Sequence, residues 1–220
     1  MMYQKKLLSE KIVENIVDLI VKGLFKPGDK MPNELQLSEE LNISRATLRE
    51  AIKTLESRNV LEVKRGIGTF VAEVPGLSKN PLGSEFINLS ANPTILFSTI
   101  QFQAYQMMSR LKGITPHNLQ NILDQHGVQN FEEVTISAYY TAVLTCIEAV
   151  AKILDDELSY RLLIVMHQLL LEYLEPLKIT ANDALRKYYL NWQDAFLNKE
   201  VETLKMTFNE IVKWTLEKAV

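Results

Sequence analysis

The sequence is short of the residues on which small-molecule chemistry usually depends. Its 220 residues include one cysteine, Cys146, and three histidines, His117, His126 and His167. A lone thiol cannot form an internal disulfide, so a reducing compartment, the cytoplasm, fits best. The histidines are not spaced as metal ligands, no Ser-His-Asp order stands out and no Gly-rich phosphate loop is present. We therefore expect no catalytic residue, no metal and no cofactor. No uninterrupted apolar run approaches the roughly 20 residues that span a bilayer, so no membrane is expected as a partner. The start, MMYQKKLLSEKIVENI, lacks an apolar h-region with a small-residue cleavage site. Neither sign of charge dominates. The net charge is −3, yet residues 1–75 hold 12 basic and 11 acidic side chains, while residues 76–220 hold 12 and 16. Patch geometry rather than net charge then decides whether a polyanion is bound.

Glycine is unevenly absent. Only Gly113 and Gly127 follow residue 93, whereas the stretch 74–93 contains three prolines and two glycines. That stretch reads as a linker (74–92) between a first domain, 1–73, and a second, 93–220. In the first, Ile12, Ile16, Ile20 and Val21, with Val13 and Val17 beside them, make a helical stripe. After the break KPGDKMP, a short helix begins beyond Asn33, with Leu35, Leu37 and Leu41 as its apolar side. After a very short break at Asn42–Ile43, Ser44 caps a third helix whose inward stripe is Leu48, Ile52 and Leu55. VLEVKRGIGTFVAE then alternates on both sides of a glycine turn, as a two-stranded hairpin does. Three helices and a hairpin make a winged helix-turn-helix. With an all-helical bundle after it, the fold class is mainly α.

The chemistry of the first domain lies in its cations. Arg45 and Arg49 are four residues apart, so they share a face opposite the apolar stripe. Their guanidinium forks suit guanine edges or phosphates, and they stand in the first turns, which reach the bases in a recognition helix. Ser44, Ala46 and Thr47 lie beside them, where a thymine methyl group or a phosphate would be met. Lys64 and Arg65 sit at the hairpin tip, where Gly66 and Gly68 allow close backbone approach. Double-stranded DNA is the expected partner.

The stretch GLFKPGDKMPNELQLSEELNISRATLREAIKTLESRNVLEVKRGIGTFV resembles the DNA-binding domain of the GntR family of bacterial transcription regulators. It carries G-x-x-x-P-G-x-x-x-P, S-R-x-T-x-R-E-A and G-x-G-T-F-V in the family's order and spacing. The resemblance implies a homodimer on a pseudo-palindromic operator, with Arg45, Thr47, Arg49 and Gly66 at DNA-contact positions. One departure stands out: the family's contacting arginine after Met31-Pro32 falls on Leu35.

The second domain reads as helices over roughly 93–112, 116–127, 130–153, 156–175, 181–197 and 200–219. LSYRLLIVMHQLLLEYL is apolar nearly all round and is expected to be central. A helical bundle points to the FadR-like (FCD-type) branch, which implies a small-molecule effector. Many domains of that branch hold a divalent metal. Pattern matching puts Ile136, Tyr140, Tyr189 and Ile211 at the ligand positions, none of them suited to such an ion. Tyr140, Arg161, His167 and Tyr189 are the candidate effector-binding residues. Arg161, a cation on an apolar helix, either finds an internal acidic partner, snorkels, or meets an anionic effector. His167 reads as a core or pocket residue, His117 and His126 as surface or capping residues. Trp192, Trp214, Met107 and Met108 read as packing. The competing reading is a DNA-binding dimer whose helical domain no longer answers to a ligand.

Overall fold

The computed structural model describes residues 8–78, 80–129, 134–180 and 183–219. They fall into two compact units, Met1–Leu82 and Gly83–Val220. The first holds α1 (Leu8–Val21), α2 (Glu34–Glu40), α3 (Arg45–Ser57) and an antiparallel hairpin of β1 (Leu61–Lys64) and β2 (Gly68–Val71). Its core joins Ile12, Val13 and Ile16 of α1 to Leu48, Ile52 and Leu55 of α3, closed by Leu61 and Val71 of the hairpin.

Two expected core positions are not in it. Val21 is 78% exposed and Leu35 is 44% exposed. Helical phase explains both. At about 100° per residue, nine residues place Val21 opposite Ile12, and two residues turn Leu35 away from Leu37. The break after α1 also does more than turn the chain. Met31 donates its N–H to Thr69 at 2.8 Å, and Val71 donates to Asp29 at 2.9 Å. Lys30 pairs with Phe70, so a third edge is laid on the hairpin.

Helix ends are set by left-handed residues. Asn42 (φ 50°) follows α2, and Ile43 donates to Ser38 at 3.0 Å, which closes the helix and starts the tight turn into α3. Asn59 (φ 51°) does the same for α3, with Val60 donating to Leu55 at 2.8 Å. Its side chain is used as well: Nδ2 donates to the Leu77 carbonyl at 2.5 Å, which ties that segment to the end of α3.

The second unit comprises α4 (Pro93–Met108), α5 (Pro116–His126), α6 (Ile136–Ile153), α7 (Glu157–Leu174), α8 (Asp183–Leu197) and α9 (Val201–Lys218). Each expected helix has its counterpart. The first stops at Met108 rather than 112, and a 3-10 turn covers Leu111–Gly113. The expected beginnings at 130–133 and 181–182 lie outside the described residues. Thr135 caps α6, accepting from the Ala138 N–H at 3.1 Å.

The centre belongs to α6, not α7. Ten of the 18 residues of α6 are buried, from Ile136 to Ala151. By length and composition α6 is apolar enough to cross a membrane, but 56% of it is buried, packed against α4, α5, α7 and α8. By contrast α7 leaves Leu158 71% and Leu162 38% exposed. Its all-round apolarity therefore includes a face left uncovered among the described residues. Asp156 caps α7, accepting from the Ser159 N–H at 3.0 Å, and is ion-paired with Arg110. Those two interactions, the backbone bond first, hold its carboxyl below the usual range. Cys146 is buried in α6, and burial pushes its thiol up to about 12.

Candidate functional site

The exposed face of α3 is assembled by its cap. The Ser44 Oγ accepts the Thr47 N–H at 3.1 Å and shares a hydrogen bond with the Thr47 hydroxyl at 2.8 Å. Ser44 and Thr47 therefore organise the helix start besides lining it. Arg45 and Ala46 follow, both exposed, and Arg49 stands one turn on. Leu48 beneath them is fully buried, so the helix cannot roll without exposing its core stripe. The Arg49 Nε donates to the Glu34 Oε2 at 2.7 Å, across from α3 to the start of α2.

The wing adds a second set of cations. The Ile67 N–H donates to the Lys64 carbonyl at 2.9 Å, closing a turn in which Gly66 (φ 75°) and Gly68 (φ 140°) take conformations that side chains disfavour. A Cβ on Gly68 would come within 2.7 Å of the Lys30 Cε, so glycine also makes room for that lysine. The Lys64 Nζ lies 3.4 Å from Glu62 and 4.9 Å from the Phe70 ring centroid. Among the described residues, Arg45 and Arg65 have no ion-pair partner. Of the four expected cations, then, two are balanced within the unit and two are not.

Lys30 is a fifth cation, absent from the expected set. It is exposed, with its Nζ 5.9 Å from the Phe70 ring. Together with Lys64, Arg65, Gly66, Asn33 and Glu34 it lines a groove of about 390 Å³ between the wing tip and the start of α2. The available signal was local: Lys30 points out while Met31, only 4% exposed, points in, the alternation of an edge strand. Exposed forks on a helix, a basic wing and the groove beside that wing can neutralise phosphates and read base edges.

In the second unit the expected residues are scattered, and each has at least one partner. Tyr140 is buried, with its hydroxyl 3.3 Å from that of Thr215. Tyr189, also buried, accepts the Val128 N–H at 2.8 Å. Gly127 makes this possible, because a Cβ there would come within 2.9 Å of the Tyr189 hydroxyl. Burial pushes Tyr189 up to about 12 and Tyr140 further still. Ile136 and Ile211 are buried in the same apolar core. The Arg161 Nε donates to Glu157, one turn earlier, at 2.5 Å, and the His167 Nδ1 lies 2.8 Å from Glu148. His117 is exposed, with Nε2 3.2 Å from the Asn121 amide, and His126 lies in the last turn of α5. Met107, Met108 and Trp192 are packed in the core, and Trp214 is packed against it.

Two residues that sequence reasoning missed as polar groups are Tyr139 and Trp192. Tyr139 packs edge-on to Tyr140 (5.3 Å) and Tyr189 (5.9 Å), and Trp192 lies 6.1 Å from Tyr189. The Tyr139 hydroxyl and the Trp192 Nε1 are buried with no hydrogen-bond partner among the described residues, and so is the Nε2 of the expected site residue His167. A helical pattern marks both as core but does not say whether their polar atoms are satisfied.

Residues 8–71 match the family described as bacterial regulatory proteins, gntR family. The first unit is a gntR-family helix-turn-helix domain. The chain is 31% identical over 97 residues to Rv0494, an HTH-type transcriptional regulator of Mycobacterium tuberculosis, covering 44% of this chain and 40% of that protein. It is 40% identical over 68 residues to MngR of Escherichia coli, the mannosyl-D-glycerate transport/metabolism system repressor, covering 31% and 28%. The matched parts thus span less than half the length of these relatives. A Streptococcus agalactiae GntR structure shares the fold, with a TM-score of 0.59 at 22% identity, over 94% of this chain and 99% of that one.

Within this gntR-family domain, Leu35 sits in the first turn of α2 with 44% of its surface exposed. The position at which the resemblance puts a contacting arginine is therefore turned to solvent here, but it carries no charge.

Proposed function

We propose that the protein is a DNA-binding transcription regulator, a bacterial cytoplasmic homodimer that grips a pseudo-palindromic operator through two copies of the gntR-family domain. The observation that carries this reading is the pair of exposed cations with no ion-pair partner among the described residues: Arg45 at the start of α3 and Arg65 at the wing tip. In the proposed complex α3 lies in a major groove. Ser44, Arg45, Ala46, Thr47 and Arg49 face the bases and nearby phosphates, while Lys64, Arg65, Gly66 and Gly68, joined by Lys30, hold the flanking backbone. The exposed apolar face of α7, with Leu158 and Leu162, suits a seam between two copies. The test is titration of the protein with a duplex it selects from a random pool and with a scrambled duplex, across salt. Tight binding to the selected duplex that weakens steeply with salt supports the reading. Equal, weak binding to both overturns it.

For the second unit we propose a FadR-like, FCD-type role: binding of a small-molecule effector that favours one arrangement of the dimer over another. Three buried atoms without a partner among the described residues, the Tyr139 hydroxyl, the Trp192 Nε1 and the His167 Nε2, favour this, because a polar ligand would satisfy them. Arg161, proposed as counter-charge for an organic anion, is already bonded to Glu157, so phenol and indole donors are the better candidates for contact. A specific observation favours the competing reading, a dimer that has lost ligand response. Tyr140, Tyr189 and Arg161 have partners within the chain, as has the Nδ1 of His167. Tryptophan emission and DNA affinity measured against a panel of small organic acids and polar neutral metabolites separate the two. A compound that changes both supports the effector role.

A further inference from the structure

Arg49 does not enter the solvent as a free guanidinium. Its Nε is bonded to the Glu34 Oε2 at 2.7 Å, and among the described residues its other nitrogens have no partner. The pair joins residues 15 positions apart, on two different helices. Glu34 is itself firmly placed. It is the first residue of α2, directly after Asn33, whose side chain accepts the Gln36 N–H at 2.9 Å. Gln36 returns the bond by accepting the Asn33 N–H at 3.3 Å. This capping box fixes the helix start, and the carboxylate stands where the helix dipole favours a negative charge.

As a stabilising device the pair is a poor investment. The side chains are 63% and 39% exposed, and exposed ion pairs add little to folding. Near DNA, a carboxylate also repels phosphates, which weakens binding to any sequence. What it supplies is orientation. Arg49 has many rotamers in water. With Nε occupied, the side-on approach through Nε is blocked, and the terminal nitrogens are left as an end-on fork. A bidentate contact to a guanine edge needs such a fork held in one plane.

We infer that Glu34 is a positioning residue for sequence readout. It holds the Arg49 fork in its base-reading orientation and trades overall DNA affinity for discrimination. This rests on the DNA-binding reading above, and it predicts two effects of opposite sign. Glu34→Ala removes a negative charge, so affinity for a scrambled duplex rises a few-fold. It also frees Arg49, so the ratio of selected to scrambled affinity falls about tenfold. Glu34→Gln keeps an acceptor for Nε and retains most of that ratio.

The experiment uses the full chain and the duplex that the wild type selects from a random pool, with circular dichroism to check that each variant is folded. In an Arg49→Ala background, Glu34→Ala is expected to leave the ratio unchanged, since no fork remains to be held. The proposal is overturned if Glu34→Ala raises both affinities equally, because the carboxylate then acts only as a charge. That result, with Arg49→Ala still lowering the ratio, would leave the DNA-binding reading intact. A wild-type protein that selects no sequence would remove both.

Discussion

Arg45 on α3 and Tyr139 on α6 each present a polar group with no partner among the described residues, and the two mean different things. The guanidinium stands in water, which satisfies it, so leaving it unpaired costs the fold nothing and keeps it available to a phosphate or a base. The phenol is fully buried, away from bulk solvent. An unmet buried hydroxyl costs roughly 1–3 kcal/mol. In the first unit polar groups are therefore held ready at the surface. In the second they must be satisfied within the core or by something that enters it.

The sharpest way to break this contrast is to delete a large side chain on the buried side. Trp192→Ala is expected to lose about 3–5 kcal/mol of stability in chemical denaturation, because the indole is fully buried and stacks on Phe196 at 4.9 Å. A loss under about 1 kcal/mol would mean that the core around α8 is not close-packed. On the exposed side, Arg45→Ala should cost about 1–3 kcal/mol of specific DNA binding while changing stability by less than about 0.5 kcal/mol. Equal losses in both measurements would place Arg45 in the fold rather than in recognition.

Two neighbouring phenols sharpen the comparison further. Tyr140→Phe removes the bond to Thr215 and should cost about 1 kcal/mol. Tyr139→Phe removes an unmet hydroxyl and should cost nothing or stabilise the ligand-free protein. Denaturation midpoints in the opposite order would show that Tyr139 has a partner, such as a bound water.

The smallest effect is on pH. Burial raises Cys146 from 9.0 and Tyr189 from 10.0, both to about 12. Each is an acid kept neutral by folding. Their contribution is therefore complete below the ordinary values and is lost as pH climbs from about 9 towards 12. The melting midpoint followed by tryptophan fluorescence should fall in that window, and Tyr189→Phe should flatten part of the fall.

How much of this was legible in the sequence depends on how far apart the interacting residues lie. Ser44, Leu48, Ile52 and Leu55 announce α3 because capping and the 3.6-residue period are local. Arg45 and Arg49 share a face for the same reason. Lys30 reaches the wing through pairing with Phe70, and Glu34 reaches Arg49 from one helix to the next. Neither contact leaves a periodic trace. In the second unit, periodicity found every helix but misplaced the centre. An all-round apolar helix such as α7 gives no phase from which to tell a face covered by its own chain from one left open.

Cys146 makes the second unit its own clock. It is the one thiol in the chain, it is buried, and it lies in α6 rather than among the helices of α3 and the wing. A thiol reagent can reach it only when the bundle opens, so the rate of labelling measures how often that unit comes apart, unaffected by fraying of the DNA-binding part. Anything that occupies the bundle would slow the reaction in proportion to its hold. The chain thus carries a native assay for ligands in which no DNA, dye or substitution is required.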